Sequence, residues 1–153
     1  MQTFLPYYNY RDCASCLDKI RLWKQCLEAK QIINTINKII DGQSNVPWSN
    51  HPAIYMWEPW FDSLKNYYNC ILQECLNRKI KTNFQLYDIK VLEHPVWLGN
   101  SKLHFSHQAN LIRKDKEYYS IFFPNIKPMN GYYWPMKKID GKLYNIGWYK
   151  IND

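Results

Sequence analysis

The sequence predicts an all-α fold, a compact bundle of about three main helices with an irregular aromatic-rich C-terminal tail. Three observations carry this expectation. Apolar residues recur at helical spacing from 13 to 40 and again from 61 to 75, and a third helical segment follows near 101–113. At 153 residues the chain has room for one domain and one core.

The first ten residues read as an extended lead-in, because Pro6 opposes an early helix. Asp12 is suited to cap the helix that follows. Apolar positions then run at 13, 16, 20, 23 and 27. A second, cleaner stripe takes in Leu22, Cys26, Ala29, Ile33, Ile36 and Ile40, in alternating steps of four and three. Two stripes predict one long helix buried on much of its circumference, ending near Asp41-Gly42. Residues 43–51 form a polar loop. Asn50 is placed to cap a second helix with Pro52 in its first turn, and Pro59 should kink or divide that helix. Past it, Phe61, Leu64, Tyr68, Ile71 and Cys75 keep helical spacing to about Arg78. Residues 80–100 are irregular and hold His94-Pro95 and Gly99. The third helical segment runs from Ser101 to about Arg113, with room to continue through Tyr119. The tail from Pro124 is aromatic and punctuated by Pro and Gly, and Ile139-Asp140-Gly141-Lys142 reads as a hairpin turn. The organisation expected is a helical domain over residues 1–135 and an extension over 136–153, a hairpin or docking tail.

Apolar residues make up 46% of the chain, which sets disorder aside as the default. No run approaches the eighteen or so uninterrupted apolar residues of a membrane span, and the start lacks a signal peptide's basic head and apolar stretch. The expectation is a soluble protein inside the cell, with no membrane partner. Lys and Arg number 20 against 13 acids, a net charge of +7. That balance suits a polyanion, since each neutralised phosphate releases counterions, although plain solubility also explains it. The aromatics favour the first reading. Among 7 Trp and 13 Tyr, several interleave with cations in Tyr132-Tyr133-Trp134-Pro135-Met136-Lys137-Lys138, and flat rings beside cations are what base stacking with phosphate contact requires. The 5 cysteines, an odd number without a secretory signal, read as buried free thiols. Abundant Asn, Ile, Lys and Tyr are the residues favoured by AT-rich coding, as in large DNA viruses.

At 100° per residue, Arg21, Lys24, Gln25 and Glu28 share one narrow face of the first long helix. The rest of that helix is so apolar that these groups should border the core or a cleft. The alternative is a solvated face stitched by i,i+4 pairs such as Lys24 with Glu28. Periodicity alone favours the solvated face.

Several blocks in order then bear on the choice. They are Met1-Gln2-Thr3-Phe4-Leu5-Pro6-Tyr7; Leu17-Asp18; Arg21-Leu22, Lys24-Gln25 and Glu28-Ala29-Lys30-Gln31-Ile32. Further along come Asn50-His51-Pro52-Ala53, Met56-Trp57, Glu74-Cys75-Leu76 with Arg78, and Pro95 with Trp97-Leu98-Gly99. The last are Ser106-His107, Asn110-Leu111, Arg113-Lys114-Asp115 and Tyr133-Trp134-Pro135. Together they resemble the pyrimidine-dimer DNA glycosylase family over residues 1 to about 135. The resemblance implies a DNA-repair glycosylase with abasic-site lyase activity, acting on double-stranded DNA that carries pyrimidine dimers, without metal or organic cofactor. It implies an N-terminal α-amine as nucleophile and a glutamate as catalytic carboxylate, hence Met1 and Glu28. The amine displaces the base and forms an imine at C1′, and β-elimination then breaks the strand. Arg21, Lys24, Gln25, His107, Arg113, Lys114, Tyr133 and Trp134 are the DNA contacts it implies.

Three departures from the family pattern stand out. In the phage branch the initiator Met is removed and a small residue carries the amine, whereas Gln2 is too large for ordinary excision, so Met1 itself takes the nucleophile's place. Cys26 stands where a basic residue is expected, a change that bears on phosphate grip and damage preference. Residues 136–153 have no counterpart in the shorter pattern.

Cys13-x-x-Cys16 and His104-x-x-His107 would together compose a Cys2His2 zinc site, but the spacing is merely permissive and a core place for both thiols is the simpler reading. Arg113-Lys114 would also serve a solvated helix end. The aromatic block would equally close the rim of the bundle. The competing function is a non-catalytic basic DNA-binding or virion-associated structural protein that keeps the fold. It would sit in the cytoplasm or nucleus of a host cell or be packaged in a virion, with the tail meeting another protein.

Overall fold

The computed structural model describes residues 1–135 in full, and beyond them only the backbone of three short strands. The molecule is mostly helical. Its helices are α1 (Tyr10–Cys16), α2 (Lys19–Ile40), α3 (Pro52–Trp57), α4 (Phe61–Asn77), α5 (Ser101–Lys114) and α6 (Lys116–Tyr119), with a 3-10 turn at Glu58–Trp60. α2, α4 and α5 are the three long helices expected. Among the described residues no helix is long and apolar enough to cross a membrane.

The single helix expected from Asp12 to Ile40 is two helices. Asn9, not Asp12, caps α1, its side-chain oxygen accepting from the Arg11 amide at 2.8 Å. The backbone turns extended at Leu17, and Asp18 caps α2 by accepting from the Arg21 amide at 3.3 Å. Arg78 closes the break. Its guanidinium donates to the Leu17 carbonyl at 2.7 Å and the Ser15 carbonyl at 3.0 Å, satisfying acceptors that a helix end leaves unpaired. The break also rotates the second helix relative to the first. Cys13 and Cys16 are buried, but Ile20, on the same predicted stripe, is 79% exposed, and Leu27 is exposed too. The cleaner stripe holds from Leu22 to Ile36, with Ile40 exposed at the end. Gly42 stops α2 in a left-handed conformation (φ 76°), with the Gly42 amide donating to Ile39 and the Gln43 amide to Lys38.

His51, rather than Asn50, caps α3. Its Nδ1 accepts from the Ala53 amide at 3.1 Å, while the Asn50 side chain accepts from the Tyr55 hydroxyl. Pro59, lacking an amide hydrogen, sits in the 3-10 turn that separates α3 from α4. α2 and α4 form the main packed pair, and α1 lies on α4. Trp57 is at the centre of the core, with its ring against those of Tyr10, Tyr67 and Trp97.

The irregular stretch 80–100 is an extended strap pinned along α4 by side chains. Asn69 both donates to the Tyr87 carbonyl and accepts from its amide, and Tyr68 donates to the Gln85 carbonyl. α5 is capped by Asn100, and at Asp115 the chain breaks before α6 rather than running on through Tyr119.

Within the aromatic tail a strand β1 (Tyr132–Trp134) packs on α5. It pairs antiparallel with β4 (Gly147–Tyr149), and β2 (Lys137–Ile139) pairs antiparallel with β3 (Lys142–Tyr144), Ile139 opposite Lys142. Asp140 and Gly141, read as a hairpin turn, lie outside the described residues.

Candidate active site

The first six residues run extended between α2 and α5, and side chains from both helices hold their backbone in place. From α2, Gln25 Oε1 accepts from the Phe4 amide at 2.8 Å and Gln25 Nε2 donates to the Gln2 carbonyl at 2.9 Å. Glu28 Oε2 accepts from the Gln2 amide at 3.0 Å and from Gln25 Nε2 at 3.2 Å. From α5, His107 Nδ1 accepts from the Leu5 amide, His104 Nδ1 donates to the Leu5 carbonyl at 2.7 Å, and Gln108 donates to the Pro6 carbonyl. The Tyr67 hydroxyl on α4 lies 2.8 Å from Gln25 Oε1 and 2.9 Å from the Phe4 carbonyl. The segment is thus held as an inner strand would be, with side chains in place of neighbouring strands. Trp57 Nε1 anchors it from below, donating to Thr3 Oγ1 at 3.0 Å.

That clamp carries Met1 to the wall of a cleft of about 440 Å³ lined also by Arg21, Lys24, Gln25, Glu28, Arg113, Lys114 and Tyr132. The cleft is electropositive around one carboxylate. Lys24 Nζ is 3.9 Å from Glu28 Oε1. Arg21 is held by Asp18 at 3.1 Å, and it also donates to the Lys114 carbonyl. Burial, and then the charges of Arg113, Arg21 and Lys24, push the Lys114 ammonium down from its ordinary value, with Glu28 opposing them. Four cations crowded about one acid lower their mutual repulsion by taking in anions. The Gln2 side-chain nitrogen is buried with no hydrogen-bond partner among the described residues.

A second group feels the charge of the α-amine. Burial first, and the Met1 ammonium second, push the His51 imidazole down to about 4. His51 Nδ1 accepts from Ala53, so the neutral ring keeps its proton on Nε2. The imidazole is therefore uncharged at neutral pH. Tyr132, at the cleft wall, is pushed up to about 12, mainly by burial and against the charge of Arg113.

The structure brings Met1, Arg21, Lys24, Gln25, Glu28, Arg113 and Lys114 to this one cleft. Three expected contacts are elsewhere. His107 is 1% exposed, spends Nδ1 on the Leu5 amide, and is pushed down to about 3 by burial and by His104. A buried neutral ring holding backbone is not a phosphate ligand in this arrangement. Trp134 is also buried, edge-on to His51 at 5.7 Å between ring centres, which leaves no face for a base. Tyr133 is only partly buried but is not among the cleft residues. The strand alternation of β1 points Tyr132 and Trp134 inward, so Tyr132 is the residue of this aromatic block that reaches the cleft, where Phe4 also lies.

Gln2, Phe4, Ile20, Asn130 and Tyr132 were missed as cleft residues. Three aromatics in a row carry no alternation in the sequence, so the inward turn of Tyr132 shows only in its burial. Cys26 faces the core, 0% exposed, so no cleft charge is lost there. The four zinc candidates are committed separately. Cys13 Sγ donates to the Tyr7 carbonyl, Cys16 Sγ to the Cys13 carbonyl, and His104 and His107 bind the Leu5 backbone. No metal-holding cluster of His, Cys, Asp and Glu forms among the described residues.

A family model described as pyrimidine dimer DNA glycosylase matches residues 1–88, which include α1, α2 and α4 with Met1 and Glu28. No curated protein and no solved structure matches the chain.

Proposed function

The chain belongs to the pyrimidine dimer DNA glycosylase family, and we propose that it excises a damaged pyrimidine and then cuts the strand, using the α-amine of Met1 as nucleophile and Glu28 as catalytic carboxylate. The observation that carries this reading is that Met1 and Glu28 line one cleft ringed by Arg21, Lys24, Arg113 and Lys114.

In the proposed reaction the neutral α-amine attacks C1′ of the damaged nucleotide. An α-amine suits this step because such groups titrate near 7.7–8.0, against about 10.4 for lysine. The N-glycosidic bond breaks, and the base leaves with the bonding electrons and takes up a proton. Protonation of the ring oxygen opens the sugar to an iminium at C1′. That cation acidifies the 2′ hydrogen, whose loss expels the 3′ phosphate in β-elimination. In this reading Glu28 offsets the positive charge that develops on the sugar and relays the 2′ proton. The four cations receive the backbone phosphates on either side of the lesion. Because C1′ is poorly reached within an intact stack, the duplex must bend and expose the lesion.

Glu28→Gln tests the assignment without dismantling the clamp, since an amide oxygen can still accept from the Gln2 amide. Cleavage of dimer-containing or abasic duplex should fall about 10²- to 10⁴-fold, while affinity is kept or rises as a negative charge leaves the cleft. A non-catalytic DNA-binding protein would have no cleavage to lose, and undiminished cleavage by Glu28→Gln would remove Glu28 from the mechanism.

A further inference from the structure

A second groove, of about 410 Å³, follows the cleft along α2. Its helix side is Leu27, Gln31, Asn34 and Lys38, and its far wall is the loop that carries Val46 and Trp48. At 100° per residue Lys24, Leu27, Gln31 and Lys38 lie within one quadrant of α2, so cleft and groove form one strip. Lys38, ten residues after Glu28, is a rise of about 15 Å further on. That is the reach of roughly four nucleotides of one strand at about 3.4 Å each.

The groove has the chemistry of a strand contact. No carboxylate lines it among the described residues, and Lys38 makes no ion pair among them. Gln31 and Asn34 are exposed amides, able to donate and to accept. Trp48 presents its indole 58% exposed, on a backbone with φ 67° that bulky residues rarely adopt. The loop holds that conformation through the His51 amide, which donates to the Trp48 carbonyl at 2.9 Å. The Trp48 ring meets His51 at 6.2 Å, His51 meets Trp134, and Trp134 meets Tyr132 at the cleft wall. An exposed ring in a groove free of acids, tied through packed rings to the cleft, is a stacking platform beside a phosphate contact.

We propose that this groove is a second DNA subsite, in which Lys38 pairs with a backbone phosphate and Trp48 stacks on a nucleobase about four nucleotides from the reacting sugar. The proposal rests on the reading of the cleft as the place where damaged DNA reacts, and it assigns to Trp48 and Lys38 the grip on one flank of that DNA.

The test measures binding of the full chain to a duplex with a central non-cleavable abasic analogue and long flanks on both sides, and to duplexes with either flank cut to two base pairs. Trp48→Ala should weaken binding to the long duplex roughly 5- to 100-fold, the range for loss of one base–aromatic stack. Lys38→Ala should weaken it and lower the salt slope by about 1. Trp48→Phe, which keeps a ring, should recover most of the loss. Shortening one flank, and only one, should cost the wild type a similar factor and erase the effect of both alanine variants. Wild-type affinity for Trp48→Ala and Lys38→Ala on the long duplex, or an equal loss on both truncated duplexes, would overturn the subsite. If the wild type binds DNA but neither prefers nor cleaves the abasic duplex, the reading of the cleft fails instead. The subsite is then judged by the same flank dependence on undamaged duplex.

Discussion

Replacing Gln25 by leucine should disable the site from beneath. Gln25 is 1% exposed and its amide spans the two backbones it joins, accepting from Phe4 and donating to Gln2. Leucine has similar bulk and no polar atom. The Phe4 amide and the Gln2 carbonyl would lose these partners within the clamp, while Tyr67 could still donate to the Phe4 carbonyl. Each orphaned buried group costs about 1–3 kcal/mol, and the desolvation that leucine avoids returns part of it. A net loss of roughly 2–4 kcal/mol follows. For a chain of this size that corresponds to about 4–16 °C in Tm. Urea unfolding read by tryptophan fluorescence measures the stability, and the single-turnover rate of imine formation on abasic DNA measures the site. Both should fall, since the same amide also donates to Glu28. An unchanged urea midpoint together with an unchanged rate would refute the idea that Gln25 holds the first residues in place.

Acid should weaken the same clamp. Burial, and then the charge of His104, push the His107 imidazole down to about 3 in the folded chain against 6.5 when free, so the unfolded chain binds the extra proton below pH 6.5. Its contribution is therefore fully present above 6.5 and is lost as pH falls towards 3, by roughly 2 kcal/mol at pH 5. His107→Asn retains an acceptor for the Leu5 amide without the titration, and urea midpoints across pH 4–7 should show a shallower decline than in the wild type; an identical decline would contradict the assignment. At the cleft, Arg113→Ala and Lys114→Ala should each lower the slope of log affinity against log salt by about 1. Salt-independent losses in filter or anisotropy titrations would mean that these cations do not meet phosphate.

The long helices were legible because their buried faces are local and periodic, as the run from Leu22 to Ile36 shows. The break at Leu17-Asp18 was hidden because apolar spacing runs straight across it, while the group that stabilises it, Arg78, is 61 residues away from Leu17. The strap over 80–100 has no period to read, since Asn69 and Tyr68 pin its backbone from another element. The polar face of α2 was visible at 100° per residue, but nothing local joined it to Met1. That link came from the resemblance of whole blocks, and the structure gives its physical basis in the contacts of Gln25 and Glu28 with Gln2. His107 was misread for a related reason. Its partner, the Leu5 amide, lies 102 residues away, and a histidine beside Arg113 and Lys114 looks like a phosphate ligand until its burial is known.

The central claim is that the first nitrogen of the chain attacks the sugar with Glu28 beside it. Borohydride reduction during reaction with abasic-site duplex, followed by peptide mapping of the adduct, tests it most directly. The account predicts a covalent protein–DNA adduct carried on the α-amine of Met1, abolished by N-terminal acetylation and strongly reduced in Glu28→Gln. The absence of any adduct, or one that maps to a lysine side chain and survives acetylation, would contradict it.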